Sequence, residues 1–392
     1  MLGSVRSVER LDDFGGRRQG SDAATLMRHF GTAEAVPLWI AEPDLDLLPE
    51  LSEAMSSRAT DGWFGYETRP EGVVGAFWEW ASARHGWEPD GLDTLISPSV
   101  GTSIGMVIEA LTEPGDGVII QPPVFTDFKP LVVNAGRRAV RNALTSDDGR
   151  YGLDLDGLAA LAADPTTRLL ILCNPHNPVG RVWTAAELRA VATICDEHDV
   201  FVLADEVHAD LALAPHRFVP FGSVAADTAV RWAATHGPIK TFGLAGVCDT
   251  LLVTADDELA GRFGARSTQL HLTRNNAFGM LAFEVAYRLG ASWLESMLDT
   301  VAGNLALLRA GLPGGVSLVE PEGTYLAWLD LRSLGIPVPE LGAWFAQQAG
   351  VAVSPGHWFG REGAGFARLT VAARPPVIEQ ALDGITTAVA AR

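Results

Sequence analysis

Cys173-Asn174-Pro175-His176-Asn177-Pro178-Val179-Gly180-Arg181-Val182-Trp183 closes an apolar run at 169–173 that reads as a buried strand. Outward from it, the run at 200–204 leads into Asp205-Glu206-Val207-His208-Ala209-Asp210. A third stretch, Lys240-Thr241-Phe242-Gly243-Leu244-Ala245-Gly246, begins with one of only two lysines in the chain. Each stretch is placed just beyond the end of a strand. In a parallel α/β sheet, ligands bind beyond the carboxyl ends of the strands. An amide, a carboxylate and a lysine would then converge on one crevice.

The surrounding pattern supports such a sheet. Further strands are expected at 95–96, 118–121 and 251–254, with helices at 104–111, 184–198 and 256–271. Apolar strands alternating with helices imply a parallel sheet covered on both faces. Residues 98–103 form a turn rich in small side chains before a helix, a unit that suits an anion. Residues 49–88 read as helical with a loop at 62–66, and 275–310 as one long helix. After Pro313 the pattern becomes a smaller α+β unit, with strands at 325–329 and 367–371 and helices at 339–349 and 376–390. Residues 1–35 read as an arm without sustained period, and 36–40 as a short strand or extended lead-in.

Composition narrows the function. The 392 residues suggest two or three domains. A net charge of −19 argues against nucleic acid, which needs a basic footprint. Cys173, Cys195 and Cys248 offer neither a disulfide framework nor a zinc knuckle, so no metal is expected. No signal-peptide h-region opens the chain and no run of 18 apolar residues occurs, so no membrane partner and a cytoplasmic location are expected. Of 29 basic residues only Lys129 and Lys240 are lysine. A lysine kept amid so many arginines is a candidate for chemistry that arginine cannot do, such as titrating or forming an imine.

Lysine, buried acid and amide together suit pyridoxal 5′-phosphate (PLP). The lysine joins the aldehyde, the acid keeps the pyridine nitrogen protonated, and the amide donates to the phenolic oxygen. Small residues at a helix start suit the phosphate. On spacing alone Asp205 also fits a solvated loop acid, and Asn177 a turn residue before proline.

The motifs N-P-H-N-P-x-G-R-V-W, D-E-x-H-A-D-L and K-T-F-x-L-A-G resemble the fold-type I PLP enzymes of the aminotransferase class I/II superfamily. More closely they resemble its cystathionine β-lyase, or C–S lyase, branch of MalY/PatB type. P-L-W-I-A at 37–41, F-G-Y-E at 64–67, Q-P-P-V-F at 121–125, G-T-Y-L-A-W-L-D at 323–330 and G-F-A-R-L at 365–369 agree with it. The resemblance implies an α/β fold: a large domain with a mainly parallel seven-stranded sheet between helices, plus a small α+β domain. The expected division is 1–48 as arm and part of the small domain, 49–285 as the PLP-binding domain and 286–392 as the small domain.

It also implies roles. Lys240 would join the cofactor and then serve as acid and base at Cα. Asp205 would pair with the pyridine N–H, and Asn177 and His208 would face the phenolic oxygen. Phe125 would stack on the ring. Val100, Gly101 and Thr102 would form the phosphate cup, and Tyr66 would reach the phosphate in the other subunit of a homodimer. Arg368 would hold the substrate carboxylate. Lys129 sits in no matching motif, and Glu206 reads as structural.

Several positions depart from the branch. Phe125 replaces a tyrosine, Gly237-Pro238-Ile239 replaces small hydroxyl residues before the lysine, and Gly243 replaces an asparagine. The cup reads Pro98-Ser99-Val100-Gly101, and Thr370 replaces an asparagine. These changes lie around the cofactor. They suggest a specialised member acting on a bulky cysteine S-conjugate, as in antibiotic biosynthesis, by β-elimination. Decarboxylation-coupled oxidative deamination to an aldehyde, and transamination, are the alternatives.

Overall fold

A computed structural model describes residues 22–147, 149–272 and 275–392. The arm expected over 1–35 lies outside the described residues up to position 21. Ala23–Phe30 is a helix, capped by Asp22, whose side chain accepts from the Thr25 amide.

Seven strands form the principal sheet: β1 (Asp93–Ser97), β2 (Gly117–Ile120), β3 (Arg138–Arg141), β4 (Thr167–Cys173), β5 (Phe201–Asp205), β6 (Trp232–His236) and β7 (Thr250–Thr254). Their order is β1-β7-β6-β5-β4-β2-β3. All run parallel except β7, which is antiparallel to both neighbours. Leu169 to Leu172 on β4 are fully buried, as a sheet covered on both faces requires. A second, antiparallel sheet holds β8 (Ser317–Val319), β9 (Leu326–Asp330), β10 (Ser354–Pro355) and β11 (Phe366–Thr370), in the order β8-β9-β11-β10. Among the described residues no helix is long and apolar enough to cross a membrane.

The seven-stranded, mainly parallel sheet agrees with expectation, but β3 and β6 were not delineated in the sequence. Residues 232–236 read Trp-Ala-Ala-Thr-His, with little β-branched character, and become a strand because all five are buried between β5 and β7. The helix over 104–111 begins earlier, at Val100, because Ser99 caps it.

The single helix expected over 275–310 is two helices, Ala277–Leu289 and Ala291–Gly311, divided at Gly290. The first packs on the helices Pro49–Asp61 and Glu71–His85, the second on Pro375–Ala390. A Cβ at Gly290 would lie 2.2 Å from the Phe242 ring, so only glycine allows this approach.

Candidate active site

Adjacent strands β4, β5 and β6 deliver three side chains to one edge. Cys173 pairs with Asp205, and Asp205 with Thr235, in register. Beyond β4 the chain carries Asn177. Beyond β6 a single turn, Pro238–Thr241, carries Lys240.

Asp205 is buried, and its Oδ1 accepts from the Thr235 hydroxyl at 2.9 Å and the Val207 amide at 3.5 Å. Burial raises its carboxyl to about 6, against the pull of those bonds and of Lys240. Among the described residues nothing donates to its Oδ2. Lys240 is half-buried and donates to the Ala41 carbonyl at 2.8 Å. Burial, then the Arg368 cation, lowers its amine to about 8.

Arg368 reaches the same region from β11, in the second sheet. It donates to Asn177 Oδ1 at 3.0 Å, the Trp39 carbonyl at 2.7 Å and Ser354 Oγ at 3.3 Å, and its guanidinium lies over the Phe359 ring at 4.8 Å. Burial lowers it to about 10, which leaves it a cation at neutral pH. Its Nε has no partner among the described residues. His208 is buried edge-on to Tyr325, and its Nδ1 is likewise unpartnered. Burial, Lys240 and Arg368 push it well below its ordinary value, so the ring is neutral.

Val100, Gly101 and Thr102 open the helix Val100–Leu111. Ser99 accepts from the Thr102 amide at 3.1 Å, and a side chain on Gly101 would meet nothing closer than 3.9 Å. Val100, Val207, Ile239 and the half-buried Phe125 pack in one apolar cluster, which joins this helix end to the lysine turn. His176 ties the Phe125 loop to the Asn177 loop, its Nε2 lying 2.9 Å from the Pro123 carbonyl.

The structure therefore brings Lys240, Asp205, Asn177, His208 and Arg368 together, with Phe125 and the 100–102 turn alongside. Tyr66 is placed differently: it is 85% exposed and borders a surface cavity with Trp63, Val73 and Met280. Lys129 is exposed at the start of Phe128–Asn134. Glu206 accepts from the Phe221 amide at 2.8 Å and lies 3.2 Å from His236 Nε2, inside the fold. Gly243 has φ +70°, a conformation that glycine and asparagine both tolerate, so this departure has a backbone reason.

Sequence reasoning missed Thr235 as the partner of Asp205, and it missed Trp39, Ala41 and Tyr325. The last three lie in P-L-W-I-A and G-T-Y-L-A-W-L-D, stretches noted without a role.

Pyridoxal phosphate fits these residues. The open Oδ2 of Asp205 can take a pyridine N–H. The orphaned His208 and Arg368 nitrogens await polar partners, and the space over Gly101 can admit a phosphate.

Comparison with known proteins agrees. The profile of the family described as aminotransferase class I and II matches residues 40–385. The chain is 35% identical over 363 residues to cystathionine β-lyase PatB of Bacillus subtilis (strain 168), covering 92% of this chain and 94% of that protein. Among solved structures it is similar to a PLP-bound putative aminotransferase from Clostridium difficile 630, with TM-score 0.90, 32% identity and coverage of 97% and 98%. Cystalysin from Treponema denticola, which contains a pyridoxal 5′-phosphate cofactor, matches with TM-score 0.85, 28% identity and coverage of 91% of each chain. The chain belongs to the aminotransferase class I and II family, in its PLP-dependent cystathionine β-lyase branch.

Proposed function

We propose that this protein cleaves the Cβ–S bond of a bulky S-substituted cysteine by β-elimination, giving a thiol, pyruvate and ammonia. The observation that carries the proposal is that one strap, through the Trp39 and Ala41 carbonyls, holds the buried Arg368 and the Lys240 amine on the same side of the site as buried Asp205 and Asn177. The identity to PatB favours a lyase within that chemistry.

Arg368, held by Asn177 and Trp39, grips the substrate carboxylate through its fork of donors. Asp205 holds a proton against the pyridine nitrogen. The bound cofactor supplies an electron sink for charge developing at Cα. Lys240, its amine free at mild alkalinity, takes the Cα proton. The Cβ–S electron pair then leaves with sulfur as thiolate, and the released aminoacrylate hydrolyses to pyruvate and ammonia. The departures around the cofactor support a substrate of specialised metabolism, such as antibiotic biosynthesis, and the composition supports a cytoplasmic setting.

The protein acts as a homodimer in this proposal, with Tyr66 reaching the partner's phosphate site. Exposed Trp63, Phe64 and Tyr66 in one loop favour such a contact. Mixing a Tyr66→Ala chain with a Lys240→Ala chain should restore activity in hybrids, because one site then holds both intact residues. Failure of hybrids to regain activity would remove Tyr66 from the partner's site.

The decisive assay supplies PLP and a panel of cysteine thioethers and resolves all products. Pyruvate and free thiol, with no need for an acceptor, support the proposal. Amino transfer to a 2-oxo acid makes the protein an aminotransferase. Oxygen uptake with CO2 release and an S-linked aldehyde makes it a decarboxylating deaminase.

A further inference from the structure

The main-chain oxygen of Ala41 accepts two hydrogen bonds, one from Lys240 Nζ at 2.8 Å and one from the Tyr325 hydroxyl at 3.1 Å. Tyr325 is fully buried, and its carbonyl is held by the Val371 amide at 2.8 Å. Ala41 lies on a strap, residues 36–44, that is pinned to the second sheet and to the segments beside it. Leu38 donates to the Ala352 carbonyl, Thr370 donates to the Leu38 carbonyl, and Asp44 bridges Ala373. The acceptor and the backbone that carries the phenol are thus both held by contacts that do not involve the lysine.

A buried phenol needs a partner, but any carbonyl would satisfy it. This one uses the carbonyl that also receives the lysine. A carbonyl oxygen has two lone pairs, so both bonds are possible at once. A bond from an ammonium is the stronger kind, because it is charge-assisted. Sole possession of the Ala41 oxygen would therefore favour the charged form of the lysine. A second donor on the same oxygen takes up part of its negative charge and weakens that preference.

We infer that Tyr325 is a positioning residue for Lys240: by sharing the Ala41 carbonyl it aims the lysine side chain and keeps its amine available in the uncharged, nucleophilic form. This rests on the proposed role of Lys240 as the reacting amine. Other groups facing the lysine are Arg368, which opposes its charge, and Asp205, Glu42 and Asp127, which favour it. His208 stands beside it as a neutral ring. Glu42 and Arg368 also face Tyr325, whose phenol burial holds far above its ordinary range. The phenol is therefore a hydrogen-bond donor at all working pH values.

The test titrates Lys240 in the full chain freed of cofactor. An amine-reactive reagent is applied across the titration range of lysine and peptides are quantified by mass spectrometry. Lys129, exposed, is the internal control. Tyr325→Phe keeps the ring and removes the hydroxyl. Its Lys240 midpoint is expected to rise by about half a pH unit, leaving roughly threefold less free amine at a fixed pH below the midpoint. Attachment of added PLP to Lys240, trapped with borohydride, should slow by a similar factor, and Lys129 should not move. An unchanged or lowered Lys240 midpoint overturns the inference. Should Tyr325→Phe not fold, fluorotyrosine incorporated at position 325 is a stronger donor. It should lower the midpoint, and no downward shift then overturns the inference. If the unaltered protein attaches no PLP at Lys240, the role of that lysine fails. The midpoint comparison still stands, because it is read without cofactor.

Discussion

Thr241 donates its hydroxyl to Oδ2 of Asp210 at 2.7 Å. This bond ties the residue after Lys240 to the loop that starts at Asp205. The other oxygen of Asp210 accepts from Trp80 Nε1 at 2.8 Å and lies 2.9 Å from His85 Nε2. Burial raises the carboxyl, but these bonds outweigh it and hold the group below its usual range. Asp210→Ala would strand several buried polar groups at once. We expect it to cost about 3 kcal/mol of stability or more, measured by urea unfolding of the cofactor-free protein. A loss under ~1 kcal/mol would show that the cluster is not cooperative.

Asp205 carries an opposite signature. Its folded pKa of about 6 lies above its ordinary 3.8, so the cofactor-free folded state binds more protons than the unfolded chain between those values. Stability therefore falls as pH rises through that window, and the full cost is present above it. Asp205→Asn removes the cost. At neutral pH the cofactor-free variant should be more stable than the parent by on the order of 2 kcal/mol, with the gap closing below about pH 4. The same variant should lose most of its activity with PLP. Equal stability of the two proteins at neutral pH would mean that water reaches this carboxylate.

In the proposed reaction Phe125, where relatives of this branch carry a tyrosine, would offer no hydroxyl to the departing sulfur. Without a general acid from this position, elimination should favour conjugates of acidic thiols, and rates should fall steeply as thiol pKa rises. Phe125→Tyr should speed the poor leaving groups by about tenfold or more and the good ones little. A rate independent of thiol pKa in the unaltered protein would place the slow step elsewhere.

Arg368 donates to Asn177, Trp39 and Ser354, and its Nε has no partner among the described residues. Lysine cannot reproduce that fork. Arg368→Lys should lower kcat/KM roughly 10- to 100-fold, mainly through KM. Substrate analogues lacking the carboxylate should lose this difference between the two proteins. If the loss appears wholly in kcat, with KM unmoved, the arginine does not grip the ground-state carboxylate.

Much of this molecule is written locally. A strand buried on both faces must be a continuous apolar run, so β4 and β5 stand out, and polar residues just past their ends stand out against them. Asp205 and Asn177 were legible for that reason, and Lys240 and Arg368 through the scarcity of lysine and the motif resemblance. The β6 strand was not, because five short residues with two alanines carry no period, and their burial comes from neighbours distant in the chain. The division at Gly290 depends on a ring at position 242, and the exposure of Tyr66 depends on how two helices flank its loop. The strap at 36–44 is the clearest case. It holds Arg368 through the Trp39 carbonyl and Lys240 through the Ala41 carbonyl. Every residue has a carbonyl, so no side-chain pattern marks which one will be used. Only packing of the strap against the second sheet selects it.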